Sequence, residues 1–307
     1  MATKWRIFAA WATYPAVFAV VLTLYYGLHA WGMSWAASSL IAAVICGLGL
    51  ITSLEWLMPY RKTWQPSWPD IKTDVLFMLI VQVVLPKVLT LIGTVSLLAW
   101  TQSRGWVLTG SWPHTWPVWL QMLLMMVTAD FFRYWLHRAA HEYLPLWKLH
   151  AVHHSVSKLY WVNVGRFHPL DKSLQFVCDA LPFMLLGLSQ EVLTLYFVVY
   201  SIKGFFQHSN VDVKLGWFNY LISGPELHRW HHSRTVRESN TNYGNIFPYW
   251  DKLFSTYAEV EGSTLIYGLD THPDPREHAH IGGILKAPFQ QYRAPIGEEK
   301  KEASMQN

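Results

Sequence analysis

Four apolar runs, at residues 7–28, 34–57, 75–100 and 117–136, each reach the length of about 20 residues that crosses a bilayer as a helix. Backbone N–H and C=O groups in hydrocarbon have no water to bond, so such runs satisfy themselves as helices. The composition agrees. The chain is 52% hydrophobic and only 14% charged, whereas soluble domains carry about 25% charged residues. Eighteen tryptophans add the amphipathic rings that favour membrane interfaces. The third run contains Pro86 and Lys87 near its middle, so a kink is expected there, with Lys87 either snorkelling or facing the protein interior.

Basic residues set an orientation. Lys4 and Arg6 precede the first run, and the turn at residues 31–33 carries no basic residue. Arg61, Lys62 and Lys72 follow the second run, only Arg104 follows the third, and Arg133, Arg138 and Lys148 accompany the end of the fourth. This alternation places both termini and the whole histidine region on the cytoplasmic side. The N-terminal run lacks a small-residue cleavage site and reads as a retained helix. A fifth apolar stretch, residues 176–206, is interrupted near 187–190. Two short helices forming a hairpin would return the chain to the side it left. A formal charge of +4, without a basic run among aromatics, gives no sign of nucleic-acid binding. Cys46 and Cys178 lie in apolar sequence and read as inert buried thiols.

The chemistry is carried by histidine. Ten of the 15 histidines fall between residues 137 and 232. His137 and His141 are spaced i, i+4; His150, His153 and His154 are spaced i, i+3, i+4; His228, His231 and His232 repeat that pattern. Such spacings share one helical face, with Cβ atoms about 5–6 Å apart. Clustered neutral imidazoles leave nitrogens unsatisfied unless something binds them, and a metal does so directly. Imidazole suits iron, zinc, copper and nickel, not magnesium or calcium. Ten candidate ligands exceed one tetrahedral site, so two metals fit the count. His168 and His208 stand alone in sequence and complete the set of ten. His29, His114, His272, His278 and His280 read as non-ligands. Asp130, Asp171 and Glu226 are candidates to support ligand histidines from outside, although Asp130 could equally pair with Arg133 or Arg166.

The order and spacing of these three histidine motifs resemble the fatty acid hydroxylase and sterol desaturase superfamily of membrane di-iron enzymes. The segments at 166–171 (Arg-Phe-His-Pro-Leu-Asp) and 242–254 are similar to that family as well. Gly204 stands four residues before His208, where some members carry a further histidine. The resemblance implies a helical membrane base under a cytoplasmic helical cap, with two irons held by His137, His141, His150, His153, His154, His228, His231 and His232, joined by His168 and His208. It implies O₂ as co-substrate, hydroxylation or desaturation of a lipid, and reducing equivalents from a separate protein of the ferredoxin or b-type cytochrome kind. The expected organisation is one catalytic domain over residues 1–272, with transmembrane helices in 1–136 and the histidine-bearing cap in 137–260. A polar, partly disordered tail is expected over 273–307. Rival readings are a histidine-rich membrane metal-binding or transport protein, a zinc-dependent membrane hydrolase, and haem ligation by histidine pairs. Transport sites usually sit at polar residues within the membrane, hydrolytic zinc sites typically include carboxylate ligands, and haem would leave most of these histidines without a role.

Overall fold

The computed structural model of the chain describes residues 2–104, 109–258 and 280–289. Among these residues the regular structure is helical, with one isolated bridge between Pro59 and Val211. Helix α1 (Ala2–Ala30) is followed by a tight turn and a second long helix. That second helix comprises α2 (Trp35–Val44), a π-helical stretch Ile45–Ile51 and α3 (Thr52–Leu57). Ser34 starts it, its hydroxyl accepting the Ala37 N–H. The third long helix comprises α4 (Trp68–Phe77), a π-helical stretch Met78–Val84 and α5 (Leu85–Ser103). Ser67 and Asp70 form a reciprocal capping box at its start. Pro86 lies inside this long helix, directly after the π-helical stretch, whose widened turns accommodate its missing N–H.

Three helical segments, Lys4–Ala30, Trp35–Leu57 and Trp68–Thr101, are long and apolar enough to cross a membrane. Large apolar side chains on them point outward, among them Trp5, Phe8, Leu48, Trp56, Leu91 and Ile92. The run at 117–136, expected as a fourth crossing, is not one of the three. It forms α6 (Val118–Glu142), a helix with Gln121, Asp130 and Arg133 buried along it, which continues unbroken to His137 and His141. The polar positions that lower its hydropathy bond other parts of the protein: Gln121 donates to the carbonyls of 114 and 116, Asp130 accepts the N–H groups of 246 and 247, and Arg133 reaches Gln175 and Asp179 of the segment 169–179.

The chain continues through α7 (Leu144–His154), a 3-10 turn Trp161–Gly165, α8 (Pro169–Asp179), α9 (Leu181–Leu185) and α10 (Gln190–His208). Short helices α11 (Pro225–His231), α12 (Val236–Ser239) and α13 (Tyr249–Leu253) follow, and α14 (Ile281–Lys286) closes the described chain. The interruption expected near 187–190 is present: Gly187 adopts φ 72° and Ser189 caps α10. Asp171 at the start of α8 and His208 at the end of α10 both reach histidines of α7. The chain therefore goes out and comes back.

One core packs α1, α2 and α10 around Val21, Tyr25, Ala42, Cys46, Ile202 and Phe206. A second joins α6 to α10 through Met125, Ala129, Val192 and Tyr196. Gly47 allows a close approach in the first core: a Cβ there would lie 2.7 Å from the Trp161 ring. Within the tail expected to be polar, Ile284 of α14 is buried beside Phe77, Val81, Val152 and Phe167. Residues 259–279 and 290–307, including His272, His278 and the expected boundary at 272–273, lie outside the described residues.

Candidate metal centre

Four helix C-termini converge. His137 and His141 lie in the last two turns of α6, His150, His153 and His154 in the last turns of α7, His208 ends α10, and His228, His231 and His232 end α11. Pro145 and Pro225 each sit in a first turn, where proline starts a helix without losing a bond. The negative end of each helix dipole thus faces the same space, a placement that favours a cation by about 0.3–1 kcal/mol per helix.

The ring nitrogens sort into two groups. His137, His141, His150, His154 and His231 form one, and His153, His208, His228 and His232 form the other; within each, every donor nitrogen lies within 4.8 Å of the rest. Each triple motif is divided between them, its i and i+4 residues going to one group and its i+3 residue to the other. Residues i and i+4 lie about 40° apart around a helix while i+3 falls on the opposite flank of i, so the division follows from helical pitch. The groups adjoin, with the His154 and His232 rings stacked at a centroid distance of 4.4 Å.

Hydrogen bonds fix which nitrogen faces inward. In the five-histidine group, Nδ1 of His137 lies 2.8 Å from the Tyr243 carbonyl oxygen and that of His231 lies 2.9 Å from the Thr241 carbonyl oxygen. Nδ1 of His150 lies 2.9 Å from Asp171 Oδ2, and that of His141 lies 3.1 Å from Asn240 Oδ1. All four partners accept, so Nδ1 carries the proton and Nε2 presents a lone pair. The Nε2 atoms of all five are buried with no hydrogen-bond partner. A buried, unsatisfied polar atom costs about 1–3 kcal/mol, and five of them aimed at one space fit a metal ion.

The four-histidine group is arranged alike. Nδ1 of His208 donates to Asn163 Oδ1 at 2.8 Å and Nδ1 of His153 to the Arg166 carbonyl at 3.3 Å. His232 Nε2 then lies 3.2 Å from His153 Nε2 and 3.1 Å from His228 Nε2, and His208 Nε2 lies 3.3 Å from His153 Nε2. Two nitrogens bound at about 2.1 Å to one ion and at right angles lie about 3 Å apart. These separations match that spacing.

Burial, reinforced by neighbouring imidazoles, drives the pKa values down. His208 and His231 fall to about 3, and His137, His141, His153, His154, His228 and His232 lie well below the ordinary value. Those eight rings are neutral at physiological pH, as ligation requires. Burial would raise the Asp171 carboxyl, but His150 and Gln175 outweigh it and hold the group below its usual range.

His168 is not brought into either group. Its Nδ1 accepts the Leu170 N–H at 3.2 Å as the cap of α8, and its ring also bonds the backbone of Leu285. Among the expected outer partners, Asp171 does hold a group member. Asp130 instead accepts the N–H groups of Ile246 and Phe247, at 2.7 and 2.9 Å. The alternative pairings proposed for Asp130 do not form either, since Arg133 binds Gln175 and Asp179 and Arg166 binds Asp74. Glu226 accepts from the Leu215 N–H and the Asn219 amide, touching no histidine. Asn163, Asn240 and the carbonyls of 166, 241 and 243 escaped the sequence reading, because nothing in a lone Asn or a backbone carbonyl marks it as a partner. His29 and His114, with His280, lie outside both groups; His29 stacks on Trp35.

A model of the fatty acid hydroxylase family matches residues 122–256, a span containing all nine grouped histidines. An ornithine lipid hydroxylase from Rhizobium tropici is 37% identical over 213 residues, covering 68% of this chain and 64% of that protein. An alkylglycerol monooxygenase from Danio rerio is 32% identical over 53% of this chain and 34% of its own length. A very-long-chain aldehyde decarbonylase from Oryza sativa subsp. japonica is 26% identical over 46% of this chain and 24% of its own. The chain thus spans less than two thirds of the length of each of these relatives. No solved structure matches. With three histidine motifs in the expected order inside the matched span, residues 122–256 are similar to the fatty acid hydroxylase family, and the lipid hydroxylase and monooxygenase relatives share that likeness.

Proposed function

We propose that this chain is a membrane-bound monooxygenase that hydroxylates a lipid, with desaturation as the related outcome, and that its nine grouped histidines hold two iron ions. The observation that carries this reading is the inward convergence of nine buried Nε2 atoms as adjoining sets of five and four. An all-imidazole shell fits iron, zinc, copper or nickel. The hydroxylase and monooxygenase names of the relatives favour a redox-active metal, hence iron. When bound, the irons would supply reductive activation of O₂, placing one oxygen in an unactivated C–H bond while the other leaves as water, with two electrons from an outside donor.

The chain's own residues do the rest. His137, His141, His150, His154 and His231 would hold one ion; His153, His208, His228 and His232 would hold the other. Asp171, Asn240, Asn163 and the carbonyls of 166, 241 and 243 keep six Nδ1 protons in place, so that His137, His141, His150, His153, His208 and His231 each offer a lone pair without a proton transfer. Burial keeps bulk water from the donor atoms. His168 acts as a helix cap outside the ligand set. Glu55 and Asp74, on the second and third long helices, contact the loop beside the centre, and Ala10 of α1 bonds the Lys214 N–H. Apolar substrate carried in the bilayer would therefore lie close to the irons. Lys4, Arg6, Arg61, Lys62 and Lys72 fall toward the same ends of these helices, which supports a multi-pass chain with its centre and both termini on the cytoplasmic side. One catalytic unit over 1–272, with 137–260 as its cap, and a ferredoxin or b-type cytochrome as donor complete the reading.

The test is anaerobic purification of the whole chain, a count of metal per chain, then addition of reductant, isotopically labelled O₂ and a lipid extract. Two irons and a lipid heavier by one labelled oxygen, or lighter by two hydrogens, are expected. Two zincs with lipid cleavage, or no tightly held metal, would overturn the proposal.

A further inference from the structure

Two buried acids on the membrane helices are unused by the ligand set. Asp74 of α4 is fully buried. Its Oδ1 accepts both Nε and an Nη of Arg166, each at 2.6 Å, and its Oδ2 accepts the Tyr160 hydroxyl. Glu55 of α3 is also buried, and its Oε1 accepts the backbone N–H groups of Trp161 at 2.7 Å and Asn210 at 2.9 Å. The loop 160–166 is therefore fastened at both ends to the second and third long helices. It fits closely as well: a Cβ on Gly165 would lie 3.0 Å from the Met78 backbone, and the Trp161 indole N–H donates to Thr52 at 2.8 Å.

This loop supplies the acceptors for His153 and His208, both of the four-histidine group. The Arg166 carbonyl takes the His153 Nδ1 proton and Asn163 Oδ1 takes that of His208. The Asn163 amide is itself oriented, since its Nδ2 donates to the Lys158 carbonyl at 2.7 Å. Glu55 adds a second hold through Asn210, two residues beyond His208. The five-histidine group draws on another source. The carbonyls of 241 and 243 belong to a segment whose Tyr243 and Gly244 N–H groups are held by Asp251, each at 2.7 Å.

We propose that Asp74 and Glu55 are positioning residues for the four-histidine group alone, tying one of the two metal sites to the membrane helices while the other is tied to the 240–251 segment. The proposal rests on the two-metal reading above. It predicts that the sites can be weakened independently from outside. Loss of an outer partner typically lowers metal affinity about 10–100-fold, and Asp74→Ala should do so at one site only.

The experiment is an anaerobic cobalt(II) titration of the detergent-purified full chain, followed by absorption spectroscopy. His208→Ala and His141→Ala serve as references for loss of one site or the other. Asp74→Ala should weaken, by about 10–100-fold, the class of site missing in His208→Ala and leave the class missing in His141→Ala unchanged. Asp74→Asn and Tyr160→Phe, which keep part of the clamp, should shift the same class by less, and they decide the matter if Asp74→Ala does not fold. Asp251→Ala should weaken the opposite class. Equal weakening of both classes, weakening of the wrong class, or unchanged binding overturns the proposal. A wild-type chain that binds no cobalt would instead refute the two-metal reading on which it stands.

Discussion

His153 and His154 are adjacent in sequence, yet their imidazoles lie in different groups. The sequence alone predicts that His153→Ala removes metal and activity together. The structure sharpens this to one ion of two. Removing His153 leaves three nitrogens in its group, whereas removing His154 leaves four in the other. A four-ligand site binds a structural zinc with about 10–16 kcal/mol, or about 3 kcal/mol per ligand if shared evenly. At about 1.4 kcal/mol per decade, one lost imidazole weakens its ion about a hundredfold. The assay is anaerobic equilibration with ferrous iron against a graded chelator, followed by a count of iron per chain. Across about two decades of chelator strength each variant should retain one iron, and the spectra of the two variants should differ and sum to that of the wild type. If either substitution releases both ions in parallel, or both variants keep the same ion, the division into two groups is wrong.

Asp171→Ala should weaken iron at the five-histidine group about 10–100-fold, read by the same chelator competition, because His150 loses the acceptor for its Nδ1 proton. Gly47→Ala should lower stability by about 1–3 kcal/mol, seen as a reduced melting temperature in detergent, because the new Cβ meets the Trp161 ring at 2.7 Å. Burial raises Asp251 from 3.8 to about 6, so the folded state binds this proton more tightly than the unfolded state. Its charged form therefore costs about 3 kcal/mol above pH 6, a cost relieved as pH falls from 6 toward 4. Melting scans should show wild type gaining on Asp251→Asn across that interval, and a flat or opposite trend would refute the assignment.

The helical class and eight of the nine grouped histidines were legible because helix pitch converts i, i+3, i+4 spacing directly into shared faces. His208, isolated in sequence, was reachable only by supposing that residues 176–206 turn back, as they do at Gly187. His168 had the same apparent standing but serves its own helix, and spacing cannot separate a ligand from a cap. The run at 117–136, expected as a crossing, is less plain for a related reason. Its apolar residues mark burial of whatever kind, and here Asp130 and Arg133 show that part of that burial is against protein. The outer partners were least legible, since Glu55 and Asp74 lie about a hundred residues from the loop they hold and inside runs that read as membrane sequence.

An all-imidazole shell brings no negative charge of its own, so two divalent ions would leave a strongly positive centre in a buried place. That charge must be met from farther out. Four helix C-termini point their carbonyl ends at the centre, and Asp171 reaches it through His150. Such compensation requires helices that end at the centre rather than pass it. Ends of this kind leave backbone carbonyls without intrahelical partners, which hydrocarbon does not tolerate but protein does. The electrostatics and the backbone bookkeeping therefore lead to the same location, just beyond the apolar stretches of the long helices. The loop 160–166 is fastened to those helices there by Glu55 and Asp74, beside the four-histidine group and the apolar stretches of the second and third long helices.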